Sequence, residues 1–275
     1  MYARLSRQFD CTILSLNKTR TITKHSMSIY SSAGTQSFFI AHLEDYMKAL
    51  VLFSGGLDSS VCLAMAVNKY GHDNVVALSI TYGQKHKKEA MKARYLADYY
   101  QVELLSIDLG PIFVGSDCSL LEASGVDIPH EDYASSLKEG DGKPVSTYVP
   151  FRNGLFLSTA AAIALSHDCQ HIYYGAHMDD AAGNAYPDTS EAFNKAISDA
   201  VYIGSGNQLS IIAPFIDKSK ADVVKLGLEL GVPFEHTWSC YEGGDKPCGT
   251  CGTCRDRIRA FRENGVEDPL VLEDK

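Results

Sequence analysis

The chain lacks any run of 18 apolar residues, so no helical membrane span is expected. It has no apolar stretch near its start suited to a secretory signal, and a cytoplasmic location is the expectation that follows. Basic charge is not in excess: 25 Lys and Arg stand against 34 Asp and Glu, a formal net charge of -9. Without a broad basic field, duplex nucleic acid is a poor default partner. No internal repeat is visible, which sets solenoids and propellers aside. What is present is 275 residues, 45% hydrophobic and 21% charged, the balance of a soluble globular protein with one ordinary domain.

Residues 1–46 read differently from the rest. Up to Ala41 they hold five basic residues and one acidic residue among many Ser and Thr. Met47-Lys48-Ala49-Leu50 then leads directly into an apolar strand, as a translation start would. The expectation is a flexible extension on a body spanning 47–275; an organelle transit peptide is the second reading. In the body, strands are expected at Ala49–Phe53, Asn74–Ile80, Val102–Ile107, His171–Tyr174 and Ile211–Ala213. Helices are expected at Ser60–Tyr70, Lys85–Tyr99, Gly154–Ser166, Lys220–Leu230 and near 255–264. Short apolar strands alternating with helices predict an α/β fold with a parallel sheet. The irregular stretch 110–149 reads as a loop or lid.

The strongest local signal follows the first strand, in Phe53-Ser54-Gly55-Gly56-Leu57-Asp58-Ser59-Ser60. Gly55 and Gly56 let backbone amides close on an anion, and the next helix points its positive end at the same place. Asp58 would repel a phosphate unless a magnesium ion lay between them. The loop has neither the Gly-Lys-Ser/Thr ending of the common P-loop nor Gly-x-Gly-x-x-Gly. A plain Gly-Gly turn with an Asp cap is the bland alternative.

Of eight cysteines, Cys240, Cys248, Cys251 and Cys254 crowd into fifteen residues. Four thiolates so spaced suit a closed, tetrahedral zinc site, with an iron–sulfur cluster as the alternative. Cys62 and Cys169 read as small core residues, and Cys118 is the one thiol outside the cluster to watch as a nucleophile. Further polar motifs fall at strand ends, where an α/β sheet presents ligand contacts. Lys85 and His86 follow the second strand and suit a phosphate or carboxylate. Arg152 offers a forked donor and Asn153 a helix cap. His177, Asp179 and Asp180 could hold magnesium or a substrate amine, Asp188 a purine edge, and Lys218 pyrophosphate.

The loop at 54–59 closely resembles that of the adenine-nucleotide α-hydrolases, the ATP pyrophosphatases. Together with Tyr82–His86, Val149–Asn153, Gly175–Asp180, Tyr186–Asp188, Pro214–Lys218 and Thr237-Trp238-Ser239-Cys240 with the later cysteines, the chain from Met47 onward resembles the 7-cyano-7-deazaguanine synthase family. That resemblance implies a Rossmann-like fold with a C-terminal zinc segment. It implies conversion of 7-carboxy-7-deazaguanine and ammonia to the nitrile with two ATP, through an adenylated carboxylate and then an adenylated amide. It also implies a homodimer and a product that feeds queuosine or archaeosine synthesis. Carried onto this sequence, Asp58, Arg152 and Lys218 would be catalytic. Phe53 to Ser60 with Lys85 and His86 would hold ATP, and Arg152, Asn153, His177, Asp180 and Asp188 the substrate. Thr189 departs from the family's pattern, where Cys often follows Tyr-Pro-Asp, so no essential thiol is expected there. A tRNA thiolase or an amide-forming deazaguanine synthetase is the alternative within the superfamily. A zinc-dependent nucleic-acid module, drawing on Arg255, Arg257, Arg259 and Arg262, is the alternative outside it.

Overall fold

The structure, a computed structural model, describes residues 47–130, 144–181 and 185–272. The expectations for 1–46 and for the centre of the 110–149 segment fall outside those residues. Five strands form one sheet: β1 (Ala49–Leu52), β2 (Val75–Thr81), β3 (Glu103–Asp108), β4 (His171–Tyr173) and β5 (Ser210–Ile212). Every pairing is parallel and the order is β3-β2-β1-β4-β5. The helices are α1 (Leu57–Tyr70), α2 (Lys88–Tyr99), α3 (Arg152–Ser166), α4 (Met178–Ala181), α5 (Glu191–Gly204), α6 (Lys220–Glu229), α7 (Gly252–Glu263) and α8 (Pro269–Leu272).

The apolar run of β1 is continuous because both of its faces are covered. Ala49, Val51 and Phe53 point to one layer with Val61 and Leu63 of α1, Val223 and Val224 of α6, and Phe261 of α7. Leu50 points to the other, with Leu157, Ala160 and Ala164 of α3 and Val201 of α5. Helix α5 is absent from the sequence reading. Its signal is Phe193, Ile197 and Val201 at a spacing of four, which packs one stripe on the second layer, behind the N-cap Ser190. A third cluster joins Phe113, Leu120 and Leu121 to Trp238, Cys240, Cys251 and Cys254, so the described part of the irregular segment is packed against the cysteine module.

Helix α2 starts at Lys88 rather than Lys85. The intervening residues are tied elsewhere: Gln84 forms an antiparallel bridge with Leu121, and Lys85 N donates to Leu120 O at 3.0 Å. The strand order reverses between β1 and β4. The crevice beyond their C-terminal ends is therefore the topological switch point, where open α/β sheets take ligands.

Candidate active site

The cleft lies at that switch point. Its floor is the loop between β1 and α1, with Phe53, Ser54, Gly56, Leu57, Asp58 and Ser59 lining it. The loop is braced from within: Gly56 N donates to Ser54 Oγ at 3.1 Å, and Ser60 Oγ donates to Gly56 O at 2.7 Å. Ser60 is fully buried, so its hydroxyl shapes the turn and does not face the cleft. Gly55, at φ +84°, lets α2 come close; a Cβ there would stand 2.5 Å from Ala93 N and 2.6 Å from Glu89 O. Gly55 O also accepts Trp238 N at 3.0 Å, which holds the Thr-Trp-Ser-Cys stretch over the loop. On the opposite wall a Cβ at Gly175 would stand 3.1 Å from Asp58 Cβ, so only glycine lets the segment after β4 approach.

Asp58 is the electrostatic centre. Its Oδ2 meets Lys220 Nζ, while Oδ1 is buried without a hydrogen-bond partner, 3.9 Å from His177 Nε2. Burial alone would raise its carboxyl, but Lys220 and then His177 outweigh that and hold it below the ordinary value. His177 Nε2 lies 3.2 Å from Lys220 Nζ and 3.4 Å from Asp180 Oδ1. Lys220 is fixed at its backbone too, with Lys220 N donating to Asp179 Oδ2 at 2.8 Å.

Two expected lysines are not brought to the cleft. Lys218 is 48% exposed and pairs with Asp217 at 3.1 Å, because the turn before the Ser219 capping box points it outward. Lys220, two residues on, takes the inner position and was missed from the sequence. Lys85 reaches Val126 O and anchors the irregular segment. His86 does line the cleft, with Gly243 packed against its ring and Nδ1 buried without a partner.

The far wall is aromatic. Arg152 enters at the first turn of α3, behind Phe151 in the left-handed region at φ 53°. Its guanidinium carbon stands 5.2 Å from the Tyr82 ring centre and 6.0 Å from that of Phe156. Asn153 lines the cleft, but its expected role as a helix cap passes to Asp188, whose Oδ2 accepts Asn153 N at 2.8 Å. Asp188 is 3% exposed and sits behind this wall. Burial raises its carboxyl, with Asn153 N–H and Arg152 opposing. Glu89 of α2, unremarked in the sequence, lines the cleft beside the loop, as do Thr253 and Asp256 of α7.

The Sγ atoms of Cys240, Cys248, Cys251 and Cys254 all lie within 4.8 Å of one another. Tetrahedral zinc with bonds of about 2.3 Å puts its sulfurs roughly 3.8 Å apart, so the donor set fits with small adjustment. Backbone amides already point at the sulfurs: Cys248 N donates to Cys240 Sγ at 3.3 Å and Cys251 N to Cys248 Sγ at 3.3 Å. Thiols this close share their charge. Cys240 is held low by hydrogen bonds from Cys251 and Cys254, and those two are pushed up in turn. A divalent cation relieves that conflict by taking all four as thiolates. Cys118 is buried in the third cluster with its thiol pushed up by burial, a poor nucleophile.

Residues 48–265 match the family described as queuosine biosynthesis protein QueC. The 7-cyano-7-deazaguanine synthase of Archaeoglobus fulgidus is 41% identical over 230 residues, covering 83% of this chain and 92% of that one. The synthase of Caldicellulosiruptor bescii is 38% identical over 227 residues, 82% and 98% of the two chains. That of Pseudoalteromonas atlantica is 40% identical over 226 residues, 82% and 99%.

Proposed function

The chain belongs to the family of queuosine biosynthesis protein QueC, and on that premise we propose that its switch-point cleft is where ATP, 7-carboxy-7-deazaguanine and ammonia react. The overall reaction is ATP-dependent formation of 7-cyano-7-deazaguanine, a ligase activity. The observation that carries the nucleotide half is the Ser54–Ser59 loop between β1 and α1, under the part-buried Asp58–Lys220 pair.

A carboxylate and an amide are poor electrophiles at neutral pH, and transferring AMP to their oxygen supplies a leaving group. Ser54, Ser59 and the amides at the start of α1 receive the phosphates. Lys220 takes the place expected of Lys218 and stabilises the charge that gathers on departing pyrophosphate. Asp58 Oδ1, buried without a partner, together with Asp180 suits a magnesium ion, which would screen the phosphates from Asp58. Arg152, between two aromatic rings, orients the substrate's carboxylate, and Tyr82, Phe156 and Tyr186 offer faces to flat rings. Asn153, set by Asp188, stands at the end that meets the purine-like edge. The Trp238 loop over the phosphate site helps keep water from the adenylate. The four-cysteine site holds α7 and that loop together, a structural zinc role. Cytoplasmic location, a homodimer and the lack of a stable nucleic-acid partner complete the proposal; no described helix is long and apolar enough to cross a membrane.

The test is a product balance. Purified protein is mixed with 7-carboxy-7-deazaguanine, ammonium, magnesium and ATP, and products are followed by mass. Two AMP and two pyrophosphate are expected per nitrile. ADP with inorganic phosphate contradicts the mechanism, and amide as the end product removes the nitrile assignment.

A further inference from the structure

Four carboxylates line the cleft: Asp58, Glu89, Asp180 and Asp256. Three are engaged. Asp58 holds Lys220, Asp180 lies 3.4 Å from His177 Nε2, and Asp256 accepts Arg259 Nη2 at 2.8 Å. Glu89 alone has no hydrogen bond or ion pair among the described residues. It sits in the first turn of α2, which Gly55 allows to press against the phosphate loop. A Cβ at Gly56 would lie 3.7 Å from Glu89 Oε1, so the carboxylate stands directly beside the loop. The cleft therefore keeps one uncommitted carboxylate next to the place where the adenylated group must lie.

We propose that Glu89 is the proton acceptor for the nitrogen in both halves of the reaction, a catalytic residue; this deepens the functional reading above and rests on it. In the first half the lone pair of ammonia forms the C–N bond to the acyl-adenylate. The C–O bond to AMP breaks with its electrons going to the AMP oxygen, and one proton of the new ammonium centre passes to Glu89. In the second half, adenylation of the amide oxygen releases one of the two amide protons to solvent, and the resulting imidate keeps one N–H. Glu89 takes that proton, the N–H electron pair becomes the last C–N bond of the nitrile, and AMP leaves with the former amide oxygen. Between the halves the half-buried carboxyl returns its proton to solvent through the open cleft.

The other bases are less well placed. His86 Nδ1 is enclosed with Gly243 against the ring, and His177 Nε2 is occupied by Lys220 and Asp180. The groups facing Glu89 are Arg152 of α3, Asp58 of α1 and the Tyr82 phenol. Burial pushes Glu89 up to about 7, with Arg152 opposing and Asp58 adding. A base poised there is matched to neutral pH. The neighbouring carboxylate Asp58 is driven the opposite way, a separation that suits one anion-binding and one proton-transferring group.

Glu89→Gln keeps the shape and removes the base. With this variant, pyrophosphate exchange into ATP driven by the 7-carboxy substrate should persist, because adenylation needs no proton acceptor. Nitrile formation should fall by about 100-fold or more. With free ammonia held constant across the series, the rise of the wild-type rate through pH about 7 should vanish in the glutamine variant, while Glu89→Asp should keep that rise at a reduced rate. Nitrile formation at the wild-type rate would overturn the proposal. So would exchange and nitrile formation falling together, which would make Glu89 part of the ATP site. If wild-type protein makes no nitrile, the functional reading fails first and the role of Glu89 fails with it.

Discussion

A lysine at the first position of a helix places its charge against the positive end of the helix dipole. Lys220 occupies that position in α6 and is 7% exposed, so it needs an anionic partner, which Asp58 provides. Lys218, on the outer side of the same turn, pairs with Asp217 at the surface, a contact of little consequence. Lys220→Ala should therefore lower the rate of pyrophosphate release by about 10²–10³-fold, the range for losing one charge-stabilising donor. Lys218→Ala should stay near wild type. A large loss from Lys218→Ala with none from Lys220→Ala would reverse the assignment. The two lysines show where the sequence stops being readable. The motif after β5 was visible, but which lysine points inward depends on the turn that the Ser219 capping box sets. Glu89 was hidden differently. It lies beside Lys87, Lys88 and Lys92, a pattern that reads as a solvated face, and its burial depends on Gly55 drawing α2 inward.

At the scale of elements, α7 links the cysteine module to the rest. Cys254, Arg257 and Phe261 share one of its faces by spacing, and all three are buried. Arg257 Nε donates to Asp268 Oδ2 at 2.7 Å and Nη2 to Asp268 Oδ1 at 2.9 Å, a bidentate pair that fixes the chain just before α8. Nη1 donates to Thr237 Oγ1 at 2.6 Å and Nη2 to Phe234 O at 3.0 Å, which ties α7 to the loop over the phosphate site. Both partners are almost wholly buried, so removing one strands the other. Arg257→Met should destabilise by about 3–5 kcal/mol. At about 2–4 °C per kcal/mol for a domain of this size, a thermal melt should fall by roughly 6–20 °C. Adding Asp268→Leu should recover much of that loss, since no charge then remains buried unpaired. A melt unchanged by Arg257→Met would show the network to be dispensable. The cysteine spacing was legible because four ligands within fifteen residues carry their own chemistry. The arginine was not, because four arginines on one helix look alike until packing decides which is inside.

For the whole molecule, the alternation of strand and helix was enough to read a parallel sheet, since parallel strands need covered faces and crossover helices. The strand order was not readable, because nothing local says on which side of β1 the chain returns for β4. That return creates the crevice. It also bears on where the working protein begins. The first strand starts at Ala49, Met47 packs against the layer that holds α1 and α6, and His171 Nε2 lies 3.3 Å from Met47 Sδ. The family match begins at residue 48. Among the described residues, both core layers and the cleft are complete from Met47 onward. A chain starting at Met47 should therefore melt at the same temperature as the full chain and form nitrile at the same rate. The comparison needs both measurements, because a tail could affect solubility without touching the cleft. A lower melt would put part of 1–46 in the folded core, and an unchanged melt with a lower rate would put it at the active site. Equal melts and equal rates would leave residues 1–46 outside the working fold.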